Sequence, residues 1–182
     1  MNYGYFGWNT RRMTLTHWVP TLIVMAVIFV LSSQSYEQQS IKTQLTLAVH
    51  RTILNDYLSS IQIHYGSLTI DGYKDGPGGV LEFILRKLAH VIEYFLLSIT
   101  LLRGIRCTTK LRLSNAIMIT VLISVSFAIT DEIHQLYSID RGSRPQDIVI
   151  DSLGVLIGIL AYGLVAKRKK RRLVNTYRTE GL

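Results

Sequence analysis

The chain has 182 residues, with 20 Lys plus Arg against 12 Asp plus Glu and a formal net charge of +8. That length fits one domain, and the single cysteine, Cys107, excludes a disulfide framework or a thiolate metal cluster. Residues 13–36, 113–130 and 152–166 hold no Asp, Glu, Lys or Arg, where an even spread of the chain's 18% charged residues would place about ten. These runs exclude a disordered chain and a soluble single-core domain.

A membrane helix needs about 20 mainly apolar residues. Four spans are predicted, at about 14–33, 82–102, 113–137 and 145–166. The expected fold class is therefore all-α: a polytopic four-helix transmembrane bundle over 14–166. Arg11 and Arg12 before the first span suggest a secretory leader, but the apolar run outlasts a signal h-region and no Ala-x-Ala site follows, so a retained span is expected. Residues 34–81 form the one sizeable loop. Within it Ile41, Leu45, Ala48, Val49, Ile53, Tyr57 and Leu58 recur at helical spacing, which predicts an amphipathic helix. The run from Gly72 to Gly79, with four further glycine, proline or aspartate residues inside it, reads as a turn-rich connection outside helix and strand. Pro145 suits the first turn of the fourth span, where its missing N–H would be unpaired anyway.

Lys and Arg bias sets orientation. Arg11 and Arg12, the loop residues Arg103, Arg106, Lys110 and Arg112, and the tail 167–182 with its Lys167–Arg172 run share one side and hold 13 of the 20 basic residues. That side is expected to be cytoplasmic, with both termini inside. The basic tail beside a span reads as a topogenic, headgroup-contacting anchor, and no nucleic-acid partner is expected.

Ionisable residues inside a membrane read as functional by default. Here they fall at one depth. Arg86, Lys87, His90 and Glu93 occupy the outer half of the second span, and Asp131, Glu132, His134 and Gln135 the outer end of the third. Arg144, Asp147 and Asp151 open the fourth, and Ser32, Ser33 and Gln34 close the first. Gly154 and Gly158 form a small-xxx-small pair suited to close helix packing. Each charged group also has a plainer role: Arg86 snorkelling to the interface, or Glu93 and Asp151 pairing with Lys87 and Arg144 to fix the bundle. A Ser-His-Asp hydrolase site would need Ser32 or Ser33, His90 and Asp131 to converge. His90, Glu93, Asp131 and His134 include metal-ligand types. Their spacing is not the His-Glu-x-x-His pattern, however, and Lys87 and Arg144 would repel a cation, so neither metal nor cofactor is expected. An anionic ligand fits better: Lys87, Arg141 and Arg144 suit a phosphate, Arg by bidentate contact. His90, Glu93, Asp131 and His134 are then the acid/base candidates.

Several motifs together resemble the VanZ-like family of bacterial membrane proteins. They are Leu31-Ser32-Ser33-Gln34, Arg86-Lys87-Leu88-Ala89-His90-Val91-Ile92-Glu93-Tyr94 and Thr130-Asp131-Glu132-Ile133-His134-Gln135, followed by Arg141-Gly142-Ser143-Arg144-Pro145-Gln146-Asp147-Ile148 and Asp151-Ser152-Leu153-Gly154. The family often carries Asn where this chain has Asp151 and Glu where it has Asp131. The resemblance implies a bacterial cytoplasmic-membrane protein of the cell envelope, associated with resistance to the glycopeptide teicoplanin. It carries over Ser33, Gln34, Lys87, Tyr94, Glu132, Gln135, Arg144, Asp147 and Asp151 as ligand-binding positions beside the four acid/base candidates. The expected partner is a membrane lipid or lipid-linked wall precursor at the outer leaflet. The alternatives are a non-catalytic role beside cell-wall synthesis proteins and, with less support, a small transporter.

Overall fold

The computed structural model describes residues 6–137 and 144–180, with side chains at 15–35, 37–137, 144–169 and 171–172. The elements in chain order are α1 (Phe6–Ser33), α2 (Tyr36–Gln39), α3 (Lys42–Val49), α4 (Ile53–Ser59), β1 (Gln62–Tyr65), β2 (Leu68–Asp71), α5 (Gly76–Thr108), α6 (Leu113–Leu136) and α7 (Pro145–Glu180). Among the described residues four helical stretches are long and apolar enough to cross a membrane: Leu15–Ser33, Gly76–Thr108, Leu113–Leu136 and Pro145–Lys169. Large apolar side chains point outward from every one of them, among them Leu22, Leu88, Leu122 and Leu160, each more than half exposed. Hydrocarbon accepts such a surface, and helices satisfy their own backbone there. The protein is an all-α, multi-pass membrane bundle.

The central helix is α5, which packs against α1, α3, α4, α6 and α7. Its seam with α7 depends on absent side chains. A Cβ on Gly154 would lie 2.5 Å from the Val91 carbonyl oxygen, and one on Gly158 would lie 2.0 Å from Ser98 Oγ. Above that seam Tyr94, Leu97, Ile28, Ala128 and Val155 form one core cluster. Leu101, Leu102, Ile105 and Ala116 form a second toward the α5–α6 connection.

The loop before α5 is a folded cap over one end of the bundle. The expected amphipathic helix is broken at residues 50–52 into α3 and α4. Val49 and Leu58 are buried, whereas Leu47 and Ile53 point away. After α4 comes an antiparallel hairpin that the sequence reading did not anticipate, with Gln62 paired to Asp71 and Tyr65 to Leu68. Gly66 supplies the positive φ of +60° that its tight turn requires. Leu58, Ile70 and Val80 bury together beneath the cap.

The turn-rich reading of residues 72–79 holds only to Asp75, because Gly76–Gly79 are already helical. Pro77 fits the first turn, where no N–H is needed. Gly78 admits α3: a Cβ there would meet Thr46 Oγ1 at 2.2 Å and the Lys42 carbonyl oxygen at 2.3 Å. Gly78 thus marks a helix crossing rather than a loop. At the other end, α7 continues beyond 166 through the basic segment to Glu180.

Candidate functional site

Among the described residues, six carboxylate or imidazole side chains are buried at the capped end of the bundle: Glu82, His90, Asp131, Glu132, Asp147 and Asp151, none more than 7% exposed. Burying charge is costly unless it is paired and hydrogen-bonded, and partners cross from helix to helix. Lys87 donates to Asp147 Oδ1, which also accepts from the Tyr65 hydroxyl. The Lys87 ammonium lies 4.5 Å above the Tyr65 ring centroid and 5.3 Å from that of Phe83. Burial and the adjacent Asp147 carboxylate push the Tyr65 phenol above its ordinary pKa. The hairpin is thereby fastened to the first turn of α7 through an ion pair rooted in α5. Gly66 packs on the Gln146 side chain beside it, with room for a Cβ only at 2.9 Å from Nε2.

His90 Nδ1 lies 3.1 Å from Asp151 Oδ1, a pairing that orients the ring and fixes which nitrogen faces elsewhere. Arg86 donates to Glu82 at 2.9 Å one turn earlier on α5, and Ser40 Oγ donates to the other Glu82 oxygen at 3.0 Å. On α6, Gln135 Nε2 donates to Asp131 Oδ2 at 3.0 Å, and Glu132 Oε2 accepts the Arg144 backbone N–H at 2.8 Å. Glu132 therefore sets the entry of the chain into α7.

These pairs frame two cavities that share Arg86 and His90. The first, of about 290 Å³, runs beneath β2 and is lined by Lys42, Arg86, Lys87, His90, Gln135, Arg144 and Asp147, with Asp75 and the apolar Leu68, Ile70 and Phe83. Basic side chains outnumber carboxylates along it. Arg144 has no ion-pair partner among the described residues. The second cavity, of about 280 Å³, lies toward α1 and is lined by Ser32, Gln34, Gln39, Glu82, Arg86, His90, Glu93 and Asp131, with Leu31, Ile41, Leu85 and Ala89. Among the described residues no three or more His, Cys, Asp or Glu side chains converge as a metal site.

The expected residues divide accordingly. Lys87, His90, Gln135, Arg144 and Asp147 line the basic cavity, and Gln34, His90, Glu93 and Asp131 the acidic one. Asp151 and Glu132 stand behind them as hydrogen-bond supports. Three others lie outside both cavities. Ser33 is exposed and donates to the Phe29 carbonyl at 2.6 Å. Tyr94 is fully buried in the core. His134 packs its ring on Phe29, with centroids 4.8 Å apart. Arg141 lies outside the described residues. Ser32, His90 and Asp131 do share a cavity, but the carboxylate on His90 belongs to Asp151, so the serine–histidine–aspartate arrangement through Asp131 is not formed. The pairings of Lys87 and Asp151 expected to fix the bundle are likewise replaced: Lys87 takes Asp147 and Asp151 takes His90, while Arg86, expected to snorkel, takes Glu82.

Glu82, Tyr65 and Lys42 escaped the sequence reading, and Arg86 was expected at the interface rather than in a cavity wall. Arg86 and Glu82 sit at i,i+4 spacing, a legible pair signal. Tyr65 and Lys42 come from the cap, and only the hairpin brings Tyr65 into place.

No curated protein and no solved structure matches the chain. Its polar helix ends place Gln34, His90 and Asp131 on one cavity and His90 and Asp147 on the other. The family model VanZ/LLP1 matches residues 17–166, and the chain belongs to that family.

Proposed function

We propose that this protein lies in a bacterial cytoplasmic membrane with both termini in the cytoplasm. There it binds the anionic headgroup of a membrane lipid or lipid-linked wall precursor at the outer leaflet, in the setting of glycopeptide resistance. The observation that carries the reading is the basic cavity at the capped end. Arg144 and Lys42 line it, and Lys87 reaches it while paired to Asp147. An arriving phosphate meets the Arg144 fork, whose paired N–H groups match its oxygens. Should a bond be made or broken there, His90 with Asp151 behind it supplies the proton acceptor.

The test is mass spectrometry of lipids that copurify with the protein. An anionic phospholipid or lipid-linked precursor is expected with wild type and reduced about tenfold or more in Arg144→Gln, since charge-assisted bonds contribute about 1.5–3 kcal/mol. The same variant, at matched membrane level, should lose any teicoplanin protection the wild type confers. Unchanged copurification overturns the reading.

A second reading is a non-catalytic partner of a wall-synthesis complex. It is favoured by one feature, the apolar face that Leu47, Ile53 and Leu54 present on the cap. Under it, Ile53→Ser with Leu54→Ser would abolish function while the lipid profile stayed intact. The transporter reading is weakened because, among the described residues, the buried titratable side chains all sit at the capped end, leaving only hydroxyls such as Thr21, Ser98, Thr120 and Ser124 deeper in the bundle.

A further inference from the structure

The basic cavity has a floor and a roof. Gly79, Phe83 and Lys87 line it at steps of four, one stripe of α5, and β2 covers them with Leu68, Thr69 and Ile70. Cations reach this space from three elements. Gly78 lets α3 cross close to α5, and the Lys42 ammonium then stands 3.7 Å from where a Gly79 Cβ would lie. Lys87 gives Asp147 one of the three N–H bonds of an ammonium group, and its Nζ lies 5.3 Å from the Phe83 centroid. Arg144 comes in at the start of α7, its backbone N–H fixed on Glu132 at 2.8 Å. Lys42 and Arg144 have no ion-pair partner among the described residues. Two carboxylates share the wall and both are engaged: Asp147 by Lys87 and Tyr65, and Asp75 by the Asp71 N–H at 2.9 Å.

We propose that the ligand's phosphate is terminal: a lipid phosphomonoester, not a phosphodiester carrying a further headgroup. The proposal rests on the basic cavity being the phosphate site. A monoester bears about −1.5 to −2 charge at neutral pH and three free oxygens, whereas a diester bears a single charge and two. Lys42, Lys87 and Arg144 bring donors from α3, α5 and α7 to one cavity, a match for the third oxygen and the second charge. The cap supplies the other reason. A diester's headgroup continues from the phosphate toward water, and at the capped end β2 and α3 occupy that side. The hairpin is fastened there through Tyr65 to Asp147, and Gly66 packs on Gln146 beside it. Lys42 is the donor that the cap itself contributes, and it reads the third oxygen.

Short-chain phosphatidic acid, phosphatidylmethanol and phosphatidylglycerol, bound to the full chain and read by native mass spectrometry, test this. Phosphatidylmethanol differs from phosphatidic acid by one methyl group on the phosphate. Wild type is expected to prefer phosphatidic acid over phosphatidylmethanol by about tenfold, the least that one charge-assisted contact is worth. Lys42→Gln should bring that ratio close to one, and Lys42→Arg should restore it. A wild-type ratio of one overturns the proposal, as does a preference that survives Lys42→Gln. Displacement of phosphatidic acid by an equal concentration of inorganic phosphate would make a free anion the ligand and overturn it too. The phosphate reading is scored separately. Binding of phosphatidic acid and phosphatidylglycerol that ignores Arg144→Gln sinks that reading and this one with it. Equal binding of all three lipids that falls in Arg144→Gln sinks this one alone.

Discussion

Asp147 accepts from two donors of different origin, Lys87 on the central helix and Tyr65 on the hairpin. Tyr65→Phe keeps the ring beneath the Lys87 ammonium and removes only the hydroxyl donor. A hydrogen bond to a charged group is worth about 1.5–3 kcal/mol, so hairpin amides should exchange with solvent at least about tenfold faster, with α5 unchanged. Equal protection in the two proteins would show that the cap holds by packing at Ile70 and Val80. The pH dependence has a definite sign. The phenol is held neutral above its ordinary value of 10.0, so its contribution is complete below that value and fades as pH climbs through the raised one. The Tyr65-dependent part of hairpin protection should therefore be level from about pH 6 to about pH 9. At this scale the sequence was informative about residue type and silent about pairing. His90 and Asp151 both stood out as intramembrane polar groups, but their contact joins positions 61 residues apart, and no helical periodicity reports that. The Glu82–Arg86 bridge, by contrast, was readable from spacing alone.

Between elements, α7 approaches α5 with no room for a Cβ at Gly158. Gly158→Ala would bring a Cβ within 2.0 Å of Ser98 Oγ and 2.6 Å of the Phe95 carbonyl oxygen. Backbone cannot yield as a flexible side chain does, and overpacking of this kind costs about 1–3 kcal/mol. Thermal unfolding in detergent should shift down for Gly158→Ala. Gly163→Ala on the same helix, with nothing within 4 Å of its Cβ, should leave the transition unchanged or raise it. Parallel shifts in the two variants would mean that helix propensity, not the seam, governs stability. Hydropathy made the four long helices legible because lipid contact demands apolar residues nearly all round. The cap was less legible, since its helices are short and take their faces from tertiary contact. The signal for the hairpin was nonetheless present: Ile61, Ile63 and Tyr65 alternate before Gly66-Ser67, and Leu68 and Ile70 alternate after it. The glycines of 72–79 misled because a glycine needed for a helix crossing and one needed for a turn look the same in sequence.

For the whole molecule, the direction in which the cavities open decides which lipids they meet. Arg103, Arg106, Lys110 and Arg112 flank the end of the bundle opposite the cap, as does the helical basic segment Lys167–Arg172. Such clusters stay cytoplasmic, so the cap and both cavities should face outward. The chain carries its own reporter, because its one cysteine, Cys107, is exposed at that basic end. A membrane-impermeant maleimide should label Cys107 only after cells are permeabilised. In a Cys107→Ser background, Tyr73→Cys on the cap, at a position 90% exposed, should label in intact cells. The reverse pattern would place the basic cavity against the cytoplasmic leaflet. Wall precursors on the outer surface would then be out of reach, and only inner-leaflet lipids could supply the phosphate.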